Sequence, residues 1–209
     1  MGSTRLPGKV LLPLGGHRII DLVRKRCEEA SSVDQVVFTI GDEAPNEAIT
    51  EWCERNRHSY VIGPEEDLLA RHRLSLDRTG DDTLVRVTGD CPFVPPQEID
   101  RLLREFEDEN LQYVTNVMDE MPVGVGVDVI SRRIMEELAK GDETHPVKTL
   151  RENSAEWDMK FSASEPWRTY GEAHIAVDMP SDYWTLIDAI EDVGTDPSAV
   201  ARWVAEEDI

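Results

Sequence analysis

The chain has 209 residues, of which 43 are acidic and 22 are basic, and its formal net charge is −21. This length suits one sizeable domain. The large negative charge argues against a protein that binds DNA, RNA or anionic lipid, because such proteins bind through a basic face. The 17 arginines far outnumber the 5 lysines. We interpret this composition as adaptation to a high-salt cytoplasm, where salt screens the repulsion; an ordinary acidic protein is the alternative.

The three cysteines, Cys27, Cys53 and Cys91, are odd in number and lack the spacing of metal ligands. The sequence therefore predicts neither a disulfide framework nor a zinc site. It shows no signal-peptide pattern and no apolar run of bilayer-spanning length, so we expect a cytoplasmic protein.

Strand and helix patterns alternate along the first 116 residues. In chain order the predicted elements are a helix over 18–30, a strand over 33–40, a helix over 45–57, a strand over 59–62, a helix over 65–77, a strand over 83–88, a helix over 98–109 and a strand over 112–116. This alternation predicts parallel strands joined by right-handed crossovers, hence a three-layer α/β sheet. Ligands of such sheets bind beyond the carboxyl ends of the strands, where Asp42, Asp90 and Asn116 are expected.

The rhythm changes after residue 120. A glycine-interrupted stretch over 123–131 precedes a helix over 132–140, strands over 157–162 and 172–177, and helices over 182–191 and 197–206. The late strands are expected to include an antiparallel member. With no repeat, low-complexity tract or linker, residues 1–209 are predicted to form a single domain.

The first nine residues, MGSTRLPGK, have the composition of an anion-binding loop. Its candidate ligand groups are the backbone of Gly2, the hydroxyls of Ser3 and Thr4, and the cations Arg5 and Lys9. Glycines, hydroxyls and positive charge in one loop can hold a nucleotide triphosphate. The sequence lacks the Gly-Lys-Ser/Thr ending of a Walker loop. A solvated basic loop is the alternative, although surface solubility does not require the neighbouring glycines, serine and proline.

Two aspartates follow predicted strands and are candidates for a metal site. Asp90 lies in the turn TGDCP, and Asp178 ends the strand of VDMPSD. Carboxylates at the ligand edge can hold Mg²⁺ together with phosphate oxygens. The alternative is that Asp90 only closes its turn. His145 and His174 are isolated in the sequence, and we expect structural or surface roles for both.

The motifs MGSTRLPGK, EEDLLARH, VRVTGDCPFV, YVTN, GVGVDVIS and AVDMPSD, in this order, resemble the sugar cytidylyltransferase family. The most similar branch is the spore-coat polysaccharide biosynthesis type, related to acylneuraminate and deoxyoctulosonate cytidylyltransferases. The match runs over residues 1–192. It implies a Rossmann-like fold of the nucleotide-diphospho-sugar transferase type, with a mostly parallel sheet and an antiparallel member. It also implies transfer of CMP from CTP to a sugar, with Mg²⁺ as cofactor and release of pyrophosphate.

By position, the resemblance makes Arg5 and Lys9 the triphosphate-binding cations and catalytic residues. It places Asp90 and Asp178 at the metal. It assigns nucleotide binding to residues of the first loop and of the Asp90 region, which are Gly2, Ser3, Thr4, Arg86, Gly89 and Asp90. The partners are CTP and a sugar acceptor, and a homodimer is expected because dimers are common among the relatives.

Three departures from the family pattern stand out. Gly126 replaces an acidic or amide residue and Asp128 a glutamate, in a stretch assigned to the sugar side. An apolar first strand, which the family has directly before the position of Met1, is absent, and we expect a start codon placed too far downstream.

The alternatives to a cytidylyltransferase are a metal-dependent glycosyltransferase and a non-catalytic relative.

Overall fold

The computed structural model describes residues 5–207, in which strands and helices alternate through the first half of the chain. The helices are α1 (Ile19–Glu29), α2 (Glu47–Asn56), α3 (Leu68–Thr79), α4 (Pro96–Asp108), α5 (Arg132–Leu138), α6 (Pro146–Glu152), α7 (Glu165–Arg168), α8 (Pro180–Val193) and α9 (Pro197–Glu206). The strands are β1 (Pro13–Leu14), β2 (His17–Arg18), β3 (Val37–Gly41), β4 (Ser59–Gly63), β5 (Thr83–Arg86), β6 (Tyr113–Thr115), β7 (Asp128–Ser131) and β8 (Met159–Phe161). Among residues 5–207, no helix combines the length and the apolar character needed to cross a bilayer.

The largest sheet has four strands in the order β5-β7-β6-β8. Strand β7 is antiparallel to both of its neighbours, with Val129 opposite Val85 on one side and opposite Val114 on the other. Strands β6 and β8 are parallel. Three strands therefore run in one direction and β7 in the other, which confirms the predicted mixed α/β sheet.

A second sheet consists of β3 and β4 alone. These strands are parallel, with Val37 opposite Ser59 and Gly41 opposite Gly63. Among the described residues no strand ladder joins β3 to β5, and a cleft of about 540 Å³ is lined by both strands. Strands β3 and β5 are therefore not hydrogen-bonded neighbours among the described residues.

Helices cover both faces of the four-stranded sheet. On one face, α4 packs against Val114 and Val129 through the apolar side chains Ile99, Leu102, Leu103 and Phe106. On the other face, α3, α5 and α6 pack against Tyr113 and Ile130. Successive strand residues point to opposite faces, so this division is the three-layer arrangement that the alternating pattern predicts.

Some predicted elements differ from the observed ones. The strand expected over 172–177 does not form; one bridge between His174 and Val123 is all that it contributes. The strand expected from residue 33 begins at Val37. Helix α3 begins at Leu68 rather than at residue 65, because the Asp67 Oδ1 accepts a hydrogen bond from the Ala70 amide at 2.8 Å and caps the helix there.

Candidate active site

Asp90 lies in a tight turn that follows β5. The Cys91 amide donates a hydrogen bond to the Thr88 carbonyl at 3.1 Å, which closes the turn. Gly89 lies directly against the amino-terminal segment: a Cβ added there would be 3.8 Å from the Val10 side chain. The turn is therefore held next to the loop that carries Lys9.

Asp178 is fixed beside this turn by backbone hydrogen bonds. The Val177 amide donates to the Asp90 carbonyl at 2.9 Å, so the two aspartate-bearing segments are joined directly. The Asp182 Oδ2 accepts hydrogen bonds from the amides of Asp178 and Met179, both at 2.8 Å, at the start of α8. Asp182 thus stabilises the helix start, as its position in the first turn predicts.

Lys9 binds both aspartates at once. Its Nζ lies 2.5 Å from the Asp90 Oδ2 and 3.1 Å from the Asp178 Oδ1. The Lys9 side chain is 11% exposed, so this contact is shielded from solvent. Arg5, which is far more exposed, places its Nη2 3.4 Å from the same Asp178 oxygen. Two of the predicted site residues, Lys9 and Arg5, therefore converge on Asp178.

The charges of this cluster support one another. Burial alone would lower the pKa of Lys9, but its hydrogen bonds with Asp90 and Asp178 and their negative charges raise it above its usual value. Burial would raise the pKa of Asp178, but Lys9, Arg5 and His174 together hold it below its usual value. The ammonium and the carboxylate are thus both ionised at neutral pH.

Cys91 lies next to Asp90 and is buried. Burial, with the charge of Asp90 added to it, raises the pKa of the Cys91 thiol. A thiol held in its protonated form is a weak nucleophile, so Cys91 serves as a packing residue of the turn.

His174 is a site residue for which the sequence predicts only a structural or surface role. Its Nε2 lies 3.5 Å from an oxygen of Asp178 and 3.5 Å from one of Asp182. Ligand atoms of these three residues lie within 4.8 Å of one another. Residues 174 and 178 are four positions apart, and in an extended segment side chains separated by an even number of positions lie on the same face. This spacing was the sequence signal that could have indicated that His174 lies near Asp178.

Arg86 belongs to a second cluster, which is centred on the buried Asp128. Its Nη1 donates to the Asp128 Oδ2 at 2.9 Å, while Arg151 Nη2 and the Tyr113 hydroxyl each donate to the Asp128 Oδ1 at 2.6 Å. Burial would raise the pKa of Asp128, but the two guanidinium groups and the tyrosine hydroxyl hold it below its usual value. Asp128 is 1% exposed, so its carboxylate is an internal counter-ion and does not face an open acceptor site.

The remaining predicted residues divide into two groups. Gly89 belongs to the Asp90 turn, whereas Gly2, Ser3 and Thr4 lie outside the described residues. The nucleotide-binding role assigned to Arg86 stays a prediction. Arg86 is one of the residues that line the cleft beside β3, and its guanidinium is bound by Asp128.

The donor set fits a hard divalent cation. Asp90 and Asp178 offer carboxylate oxygens that already converge on one positive group, the Lys9 ammonium. Mg²⁺ is typically bound by one or two carboxylates together with phosphate oxygens and water. The arrangement therefore suits a metal-bound phosphate ligand flanked by two cationic side chains.

Comparison with known proteins identifies relatives of this chain. The spore coat polysaccharide biosynthesis protein SpsF of Bacillus subtilis is 26% identical over 212 residues, which cover 96% of this chain and 87% of that protein. A 3-deoxy-manno-octulosonate cytidylyltransferase of Pelobacter propionicus is 31% identical over 110 residues, covering 51% of this chain and 41% of that enzyme.

Solved structures share the fold. A cytidylyltransferase from Leptospira borgpetersenii superposes with a TM-score of 0.89 at 23% identity, covering 100% of this chain and 94% of that one. A CMP:2-keto-3-deoxy-manno-octonic acid synthetase complexed with CTP has a TM-score of 0.69 at 17% identity, covering 91% and 95% of the two chains. The family profile described as Cytidylyltransferase matches residues 1–156, which is most of the sequence. The chain belongs to the cytidylyltransferase family.

Proposed function

We propose that the protein transfers CMP from CTP to a sugar acid or a related sugar and releases pyrophosphate, as a step in surface polysaccharide or glycan biosynthesis. The observation that carries this proposal is the Lys9 ammonium between Asp90 and Asp178, at 2.5 and 3.1 Å, with Arg5 beside it. A pair of carboxylates facing two cations is the complement of a metal-bound triphosphate. The relatives named as deoxyoctulosonate cytidylyltransferases support a sugar acid as acceptor.

Each residue of the cluster has a role in this proposal. Asp90 and Asp178 would hold Mg²⁺, which when bound would neutralise charge on the phosphates. Lys9 and Arg5 bind the phosphate oxygens and stabilise the departing pyrophosphate. His174 and Asp182 keep Asp178 in place, one through its side chain and the other through the backbone.

The reaction needs no protein nucleophile. An acceptor hydroxyl oxygen forms a bond to the α-phosphorus of CTP while the bond from that phosphorus to the oxygen bridging the β-phosphate breaks. Pyrophosphate leaves with the bonding electron pair, and the hydroxyl proton passes to solvent. Catalysis is then mainly positioning and electrostatic stabilisation, which is what fixed carboxylates and cations supply.

The direct test is pyrophosphate release by the variant Asp90→Asn. Loss of one charged metal ligand removes several kcal/mol of transition-state stabilisation, so turnover with CTP, Mg²⁺ and 3-deoxy-manno-octulosonate is expected to fall by about 100-fold or more. The folded state should persist, because an asparagine has nearly the same shape as the aspartate and preserves the turn.

The matched control is Asp142→Asn, a change at an exposed aspartate between α5 and α6 that leaves the site untouched. We expect its pyrophosphate release to equal that of the unaltered protein. Unchanged release by Asp90→Asn would refute the metal assignment. Release of a nucleoside diphosphate from a nucleotide sugar, with no pyrophosphate from CTP, would identify a glycosyltransferase instead.

A further inference from the structure

A positively charged cluster lies at the carboxyl end of β5, although the chain as a whole carries a net charge of −21. Arg86 is the last residue of β5, and Arg151 reaches the same place from α6. Both bind the buried Asp128, at 2.9 and 2.6 Å respectively. Two guanidinium groups against one carboxylate leave a surplus of one positive charge. One arginine is enough to balance Asp128, so the second brings a charge that the cluster itself does not neutralise.

The hydrogen bonds of this cluster use only some of the donors of the two arginines. Arg86 donates from Nη1 to Asp128, while Arg151 donates from Nη2 to Asp128 and from Nε to the Tyr113 hydroxyl. Within residues 5–207, the Nε and Nη2 of Arg86 and the Nη1 of Arg151 have no acceptor. The two arginine side chains are 21% and 29% exposed, so a ligand can reach the cluster from solvent.

His72 lies beside these arginines and has a buried ring nitrogen without a partner. The residue is 4% exposed, and its Nδ1 forms no hydrogen bond with the described part of the chain. Burial, together with the charges of Arg86 and Arg71, lowers the pKa of His72 to about 3, so the ring is neutral at pH 7. His72, Arg71 and Arg86 line the same cleft. An unpaired buried polar group destabilises the fold, and a ligand that pairs with it recovers that free energy.

His145 adjoins the cluster from the side of α6, which it directly precedes. The Leu69 amide donates to the carbonyl of the neighbouring Thr144 at 3.0 Å and thereby ties this segment to α3. Partial burial and the charge of Arg86 lower the pKa of His145, which shows that this exposed ring is also close to the positive charge. Two neutral imidazoles, each with one N–H to donate, therefore adjoin the two guanidinium groups.

The cluster is a neighbour of the proposed reaction centre. Arg86 precedes Asp90 by four residues, and it lines the same cleft as Gly89 of the Asp90 turn. Its positive charge also acts on the Cys91 thiol, where it opposes part of the rise in pKa. A group bound by Arg86 would therefore lie beside the phosphates without occupying the position of Lys9.

We propose that Arg86 and Arg151, with His72 and His145, form the subsite that binds the carboxylate of a sugar-acid acceptor. This proposal rests on the proposed function, because it names the group by which the acceptor of that reaction is recognised. A carboxylate carries the one negative charge that the cluster lacks, and its two oxygens match the planar fork of a guanidinium. A neutral sugar offers neither, so the subsite favours acid acceptors over neutral ones.

The test compares the binding of 3-deoxy-manno-octulosonate with that of its C1 amide, which lacks the charge. Both are titrated in the presence of CTP and EDTA, so that no transfer occurs, and binding is followed by calorimetry and by the NMR signals of the His72 and His145 rings. The variant Arg151→Gln removes the surplus charge and leaves Arg86 bound to Asp128. Arg55→Gln is the matched control, because it removes a 70% exposed guanidinium from α2.

We expect the acid to bind to the unaltered protein at least about tenfold more tightly than the amide and to shift both histidine signals. Arg151→Gln should lose about tenfold in affinity for the acid and little or none for the amide, because only the charged group uses the removed donor. Arg151→Lys, which keeps the charge without the fork, should recover part of the loss. Arg55→Gln should bind both compounds as the unaltered protein does.

Equal binding of acid and amide by the unaltered protein, or no binding of either, would overturn the subsite, and this comparison needs no substitution. Acid binding that leaves both histidine signals unmoved would overturn its location. A loss of CTP affinity in Arg151→Gln with unchanged acid affinity would assign the cluster to the triphosphate instead. Failure of the proposed function has a different signature: selective acid binding at the cluster, with no pyrophosphate release when Mg²⁺ is added, would refute the transfer reaction and leave the subsite standing.

Discussion

At the scale of single residues, Lys9 lies between the two carboxylates that are proposed to hold a divalent cation. Under that proposal the Lys9 ammonium and the metal would compete for Asp90 and Asp178. We predict that Lys9→Met binds Mn²⁺ about tenfold more tightly than the unaltered protein when nucleotide is absent, because a competing charge has been removed. Titration followed by the paramagnetic resonance of free Mn²⁺ measures this affinity.

Lys9→Arg is the control for this prediction because it keeps the positive charge. We expect its Mn²⁺ affinity to stay near that of the unaltered protein, while pyrophosphate release falls in Lys9→Met. If Lys9→Met bound Mn²⁺ no better than Lys9→Arg, the shared position of ammonium and metal would be disproved.

Asp128 provides a second prediction, concerned with stability. Its carboxylate is the common acceptor for Arg86, Arg151 and Tyr113, and its removal leaves two guanidinium groups without their counter-ion. Breaking a buried ion pair from one side costs about 3–5 kcal/mol, and the partly exposed arginines favour the lower end. Urea unfolding of Asp128→Asn should show a loss of about 3 kcal/mol.

The same carboxylate predicts a pH dependence. The pKa of Asp128 is lower in the folded than in the unfolded protein, so its contribution is fully present above an unfolded pKa of about 4 and is lost as the pH falls through the folded value. Asp128→Asn should lack this part of the acid destabilisation. Asp77→Asn, which removes a 64% exposed partner of Arg132, should change stability by less than about 1 kcal/mol and keep the full acid response. Equal losses in the two variants would refute the argument.

The sequence predicted the residues of the site from two different signals. Asp90 was expected at the ligand edge because it follows a predicted strand, and that strand is observed as β5. Asp178 was expected there for the same reason, although the strand before it does not form, and Lys9 was predicted from the composition of its loop. The partner of Arg86 could not be predicted in this way. Arg86 and Asp128 are opposite each other in the register of β5 and β7, which becomes known only when the antiparallel pairing is seen.

At the scale of elements, the amphipathic helices were predicted best. The helix expected over 18–30 is found at Ile19–Glu29 and the one over 197–206 at Pro197–Glu206, because apolar spacing, proline and capping residues agree there. Helices α6 and α7 were missed; both are short, and proline in their first turns was the one strong signal. Apolar and polar residues alternate over 172–177 as they do in a strand, yet only one isolated bridge forms there. Such alternation indicates which side chains share a face, but it does not show whether another strand lies close enough to pair.

At the scale of the whole molecule, the surplus of acidic residues opposes folding. A net charge of −21 repels itself most strongly in the compact state, and the effect is greatest when few ions are present. Many arginines are engaged in partly buried ion pairs such as Arg101 with Glu98 and Arg151 with Asp128, so they do not relieve the repulsion among exposed carboxylates. Added salt weakens exposed ion pairs as well, but with 43 acids against 22 bases the relief of repulsion is the larger effect.

We therefore predict that KCl stabilises the protein. Between about 0.1 and 1 M salt the screening length falls from about 10 Å to about 3 Å, and the melting temperature should rise by several degrees, with ~1 kcal/mol corresponding to ~2–4 °C at this chain length. Unfolding must be followed by heat or urea, because guanidinium chloride is itself a salt. Sucrose at matched osmolarity is the control, since it favours the compact state without screening charge. A KCl effect no larger than that of sucrose would mean that the acidic surface is not a source of instability, and the interpretation of the composition as a high-salt adaptation would lose its physical basis.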